Sequence, residues 1–280
     1  MTPAGQSGVA AERYYQRFDR RQRVTHAFLM FSFIGLALTG LPLRFADYGW
    51  ARRLAGLWGG IESAGFVHRV CAVVMISAFV SHVGQVLWQV YRKRDYGALW
   101  GATSMVPQPR DVIEMYQHMR WFVGLGPRPI FDRFTYWEKF DYWAVFWGML
   151  IIGGSGMMLW FPETFALVIP GWVFNIALLI HGEEALLAVG FIFTIHFFNG
   201  HIRPEKFPMD LVIFTGRVSE HELKEERPAE YERLARDGRL GFYEAAPPSP
   251  RSVTFGRVFG TAAVVLGLMT VALIVFALLQ

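Results

Sequence analysis

The sequence predicts an all-α membrane protein, a bundle of five transmembrane helices, from three observations. Of its 280 residues 53% are hydrophobic and 16% aromatic, oilier than a soluble domain of this size. Five segments, near 24–43, 65–91, 142–161, 172–198 and 258–279, match the roughly 20 residues that a helix needs to cross the hydrocarbon core. Basic residues are segregated between alternate loops. The 23 residues before the first span hold five Lys and Arg, the loop 92–141 eight and the segment 199–257 ten. The other side has only Arg44, Arg52 and Arg53, so the N-terminus is expected in the cytoplasm and the C-terminus outside. The net charge of +4 is thereby read as membrane topology, and no nucleic-acid partner is expected.

Taken in order, residues 1–23 are a polar cytoplasmic arm. Residues 24–205 form a four-helix core, and 206–257 a cytoplasmic linker with a charged helix. The fifth span, 258–280, is expected to pack on lipid or on a partner subunit. The first span has no small-residue cleavage site after it and reads as a true span rather than a signal peptide. The loop 92–141 within the core mixes Trp100, Trp121, Phe122, Pro127 and Pro129 with arginines, which suits the cytoplasmic headgroup boundary. In 217–240, Ser219 and Glu222 have capping-box spacing, and the alternating charges predict a solvated helix that includes His221. Trp50, Trp58, Trp137, Tyr142, Trp160 and Trp172 flank the spans as an aromatic belt.

Six of the eight histidines fall in or beside spans, where ionisable groups are costly and need partners. His68 and His181 lie near the outer ends of spans two and four. His82 and His196 lie 14 and 15 residues further in, about 21 Å along a helix rising 1.5 Å per residue. His26 opens span one at the inner side, and His201 follows span four. Opposed imidazoles on different helices suit the two axial positions of an iron porphyrin, and ligands split between two depths do not fit one zinc or copper centre. His68 and His181 define an outer haem. His196 defines an inner one, for which His26 and His82 compete, with spacing alone favouring His82. The single cysteine, Cys71, excludes an internal disulfide, a CxxCH haem attachment and an iron–sulfur site within this chain.

Supporting residues have competing readings. Arg69 and Arg203 could hold haem propionates or simply snorkel to the interface. Glu183 and Glu184 could orient a ligand imidazole or relay protons to a quinone, or could face solvent at a bend. GGSG at 153–156 could admit a porphyrin face or a neighbouring helix.

The stretches RQRVTHAFLMFSFIGLALTGLPLRF (21–45), FVHRV (66–70), YWEKFDYWAVFWGMLIIGGSGMMLWFP (136–162) and HGEEALLAVGFIFTIHFFNGH (181–201) resemble the di-haem cytochrome b subunits of respiratory formate dehydrogenases, nickel–iron hydrogenases and thiosulfate reductases. The resemblance covers roughly 20–205. It implies haems between helices 1, 2 and 4, with His68 and His181 as the outer pair and His26 and His196 as the inner pair. The fifth span, the long second loop and the extra pair His82 and His201 depart from the four-helix pattern. That pair would be an alternative inner ligand or a third haem site.

NGHIRPEKFPMD (199–210) looks like the form that accompanies multihaem c-type partners. The implied function is electron transfer between the quinone pool and an iron–sulfur or multihaem c-type redox subunit, in a bacterial inner membrane. Two haems b are expected, or three if His82 and His201 bind one. The chain would act as a subunit of an oxidoreductase, with no catalysis of its own on the primary substrate. A proton-path transporter and a passive membrane anchor without haem are the alternatives.

Overall fold

The computed structural model describes residues 12–280. The chain is mostly helical, with five helices long and apolar enough to cross a membrane. They are α1 (Arg20–Arg44), α3 (Ile61–Arg92), α5 (Tyr136–Trp160), α6 (Trp172–Ile202) and α9 (Pro250–Leu278). Between them lie α2 (Gly49–Leu57), α4 (Pro109–Phe122), α7 (Glu220–Glu226) and α8 (Pro228–Arg236).

All five spans outrun the apolar segments at one or both ends, because polar residues complete the terminal turns. Asp19 caps α1 by accepting from the Gln22 amide at 2.8 Å, while the Gln22 side chain accepts from the Asp19 amide at 2.9 Å. Thr135 and Glu138 close the same reciprocal box on α5. Helix α5 therefore begins six residues before the segment expected from hydropathy, and those residues include Lys139 and Asp141. Ser249 likewise starts α9.

The spans show large apolar side chains outward: Phe28, Val80, Leu150 and Val265 are 51 to 73% exposed. An apolar exterior around hydrogen-bonded helices is what a hydrocarbon solvent demands. The core is narrow. Ala37 and Leu41 of α1, with Phe45 just after it, meet Val189, Phe193 and Phe197 of α6 and Ala263, Ile274 and Ala277 of α9. The fifth span thus packs on this chain's own first and fourth spans, where the sequence suggested lipid or another subunit. Its buried residues Gly256, Gly260, Ala263, Gly267, Thr270, Ile274 and Ala277 recur every three or four positions and form a stripe of mostly small side chains. At Gly267 a Cβ would stand 2.7 Å from Phe193 Cδ1, so only glycine lets the helices close.

At one end of the bundle the polar segments fold into a cap. Strand β1 (Tyr14–Gln16) lies between β2 (Arg217–Ser219) and β3 (Glu244–Ala245), antiparallel to both. Part of the expected N-terminal arm is therefore a central strand. The charged segment 217–240 also differs from its expected form. Ser219 does cap α7, accepting from the Glu222 amide at 3.2 Å, and His221 is exposed. Pro228 then starts a second helix, and Leu223, Glu226, Arg227, Glu230 and Leu234 are buried. Glu230 holds Arg17 at 2.8 Å and Arg133 at 2.7 Å, and Arg227 reaches Glu138 at 3.0 Å. Charge alternation in the sequence does not distinguish partners in solvent from partners in the same fold; here the partners are internal.

Candidate functional site

The outer histidines face each other. His68 on α3 and His181 on α6 have ring centroids 6.3 Å apart with planes inclined at 72°. An imidazole nitrogen lies about 1.1 Å from its ring centre and binds a metal at about 2 Å, so two rings on opposite sides of one ion stand about 6 Å apart. The pair has that spacing.

Local chemistry fixes which nitrogen each ring offers. Thr39, fully buried on α1, donates its hydroxyl hydrogen to the Gly35 carbonyl at 2.6 Å, so its oxygen can accept from His68 Nδ1 at 3.0 Å. His181 Nδ1 lies 3.0 Å from the Ile152 carbonyl, which can only accept. Both rings therefore carry their proton on Nδ1 and present the Nε2 lone pair, the form that ligates metal. Ile152 belongs to a π turn, Met149–Gly153, that interrupts the α-helical ladder of α5 and lets this carbonyl serve the histidine. Two glycines complete the setting. A Cβ on Gly40 would lie 3.2 Å from His68 Cε1, and one on Gly156 only 2.9 Å from His181 Cε1. Of the GGSG stretch, Gly156 and Ser155 meet His181, while Gly154 has open space around it.

At the inner level His196 Nδ1 donates to Asp141 Oδ2 at 2.9 Å, which again frees Nε2. His26 lies in the second turn of α1 and is half-buried. Residues five apart on an α-helix diverge by about 140°, but α6 contains π turns at Ile192–His196 and Phe198–Ile202. Turns closed by i→i+5 bonds bring His196 and His201 toward one face. His201 Nδ1 and Asp141 Oδ1 are buried without a hydrogen-bond partner among the described residues.

His82 is differently placed. Its Nε2 is engaged by the Tyr142 hydroxyl at 2.8 Å, so the nitrogen that His196 leaves free is occupied here. The structure joins His68 with His181 and His196 with Asp141, while His82 is taken by Tyr142.

The remaining predicted residues have other partners. Glu183 pairs with Arg44 at 2.6 Å, and Glu184 accepts from Trp147 Nε1 at 3.3 Å; neither touches a histidine. Arg203 bonds Glu226 at 3.0 Å and lies over the Trp137 ring, and Arg69 is exposed. The carboxylate that orients a histidine is Asp141, which was not among the expected site residues, nor was Thr39; Tyr142, expected only as part of the aromatic belt, engages His82. A lone aspartate at the head of an apolar span was the signal for Asp141. Thr39 and the Ile152 carbonyl offered none. Among the described residues, no three His, Cys, Asp or Glu side chains gather at one point to bind a metal ion alone.

Fold and site together define a mostly helical protein with the five helices of a multi-pass membrane chain and a facing histidine pair between two of them. No protein-family model matches the chain, and no curated protein matches it.

Proposed function

We propose that the chain is a membrane-embedded b-type cytochrome subunit that passes electrons between the quinone pool and an iron–sulfur or multihaem c-type subunit of a respiratory complex. One observation carries the reading: His68 and His181 face each other at axial-ligand spacing, each with Nδ1 held and Nε2 free. Two opposed imidazoles supply only two ligands. A metal that brings its own further ligands, such as the iron of a porphyrin, would suit them. His68 and His181 would hold the haem, which would supply one-electron exchange.

The residues of the chain orient and insulate. Thr39 and the Ile152 carbonyl set the outer imidazoles, Asp141 sets His196, and Gly40 and Gly156 leave room beside the outer rings. We assign His26 as the partner of His196, as the resemblance implies, since His82 Nε2 is engaged by Tyr142. The outer and inner levels, 15 residues apart on α6, are separated by about 20 Å, which suits a wire across the bilayer. The excess of basic residues at the capped end supports a cytoplasmic cap in a bacterial inner membrane. The resemblance to di-haem cytochrome b subunits points the same way.

The test is a dithionite-reduced minus oxidised spectrum of the purified protein, with haem stoichiometry by pyridine haemochrome. Two haems b per chain are expected. Absence of haem would overturn the proposal and leave a proton path or an anchor.

A further inference from the structure

Helix α4 is built inside out. Its polar residues Asp111, Glu114 and His118 are buried, while Val112, Ile113, Tyr116, Met119, Phe122 and Val123 are 57 to 67% exposed. At 100° per residue these six fall within an arc of about 180°. The buried side is clamped to the start of a span: Lys139 Nζ lies 2.8 and 2.9 Å from the two Asp111 oxygens, and the Tyr136 hydroxyl is 3.0 Å from His118 Nδ1. The orientation is thus fixed by buried charge, and rolling the helix to hide its apolar arc would break that pair. A continuous apolar surface of this kind marks an interaction site.

The occupant is indicated by where the helix sits. The segment that carries α4 leaves one span at Arg92 and enters another at Tyr136, so both flanks of the helix belong to the same end of the bundle. Arginine borders the arc. Arg120 lies over the Tyr116 ring at 5.9 Å near one edge, while Arg110, in the first turn of α4, pairs with Glu114 and Arg128, beyond its end, lies 3.5 Å from Glu205. Apolar residues edged by arginine suit the boundary between acyl chains and anionic headgroups.

We propose that α4 lies in the bilayer interface with this arc immersed, gripping an anionic lipid surface and anchoring the cap to the membrane. The inference rests on the spans being membrane helices and is independent of the haem reading.

Spin labels on the full chain test it, in a Cys71→Ser background reconstituted in phosphatidylcholine nanodiscs with and without phosphatidylglycerol. Met119→Cys reports the arc, Gln117→Cys an exposed position outside it, and Val80→Cys an exposed position on α3. A label at Met119 should collide with oxygen more than with a water-soluble nickel complex, as at Val80, and Gln117 should show the reverse. Phosphatidylglycerol should move Met119 deeper; no such shift overturns the anionic preference. A water-like Met119 beside a lipid-like Val80 overturns the docking while leaving the spans intact. Shielding of Met119 from both reagents would mean a contact between protein copies and would also overturn it. A water-like Val80 would instead overturn the spanning reading.

Discussion

Gly156→Ala tests the outer histidine pair most directly. The added methyl would lie 2.9 Å from His181 Cε1 and 3.3 Å from Nδ1. Carbon atoms settle at about 3.5 Å or more, so the ring must retreat from α5 by roughly 0.6 Å. The carbonyl that holds it, Ile152, is on that same helix. Retreat therefore stretches the 3.0 Å bond towards about 3.6 Å, beyond hydrogen-bond range, and drives His181 towards His68 across a gap with no slack for two axial ligands.

Overpacking of this kind costs about 1–3 kcal/mol, which at tenfold per 1.4 kcal/mol is about 5- to 150-fold in haem retention. The assay is haem per chain by pyridine haemochrome, with a redox titration to separate the two centres. Gly154→Ala is the control, because nothing lies within 4 Å of its Cβ position. The expected result is loss or a shifted potential of one haem in Gly156→Ala and none in Gly154→Ala. Equal haem content and equal potentials in the two variants would refute the assignment of His181.

The same geometry predicts other outcomes. His82→Phe should keep both haems, since Tyr142 already engages that ring, whereas His196→Phe should lose one; redox-resolved spectra of the two variants decide between His82 and the inner site. Asp141→Ala should raise the inner potential, because losing the acceptor of His196 Nδ1 makes the imidazole a weaker donor and removes a negative charge, and should trim inner haem affinity by about 10- to 100-fold, with the outer haem unchanged; potentiometry reads both. Gly267→Leu should destabilise the bundle by about 1–3 kcal/mol, since α9 can no longer close on Phe193; the thermal midpoint in detergent reports it. The last concerns pH. Burial, aided by Arg128 and Arg203, holds His118 below its ordinary 6.5. The unfolded chain then binds the extra proton, so the stability contributed by the neutral ring is present above pH 6.5 and lost as pH falls below it. Near-ultraviolet dichroism of the Trp121 and Trp137 cluster around His118 should weaken on that side, and His118→Phe should remove the dependence.

Five long apolar helices, and the two levels along them at which histidines recur, are legible in the residues alone. Both rest on a one-dimensional property: twenty apolar residues must become helix in hydrocarbon, and the rise per residue then places every histidine along the bilayer normal. Tertiary structure decided what depends on rotation and on distant partners. The π turns of α5 and α6 change which side chains share a face, and hydropathy does not register them. Whether His82 is a free ligand depends on Tyr142, 60 residues away. The alternating charges of 217–240 proved to be one half of an internal network whose other half is Arg17, Arg133 and Glu138. Lipid cover and helix cover look alike in an apolar stretch, so only packing showed that α9 closes on Phe193 and Phe197. Depth is set by composition; azimuth and partnership are set by contacts that only the folded chain brings together.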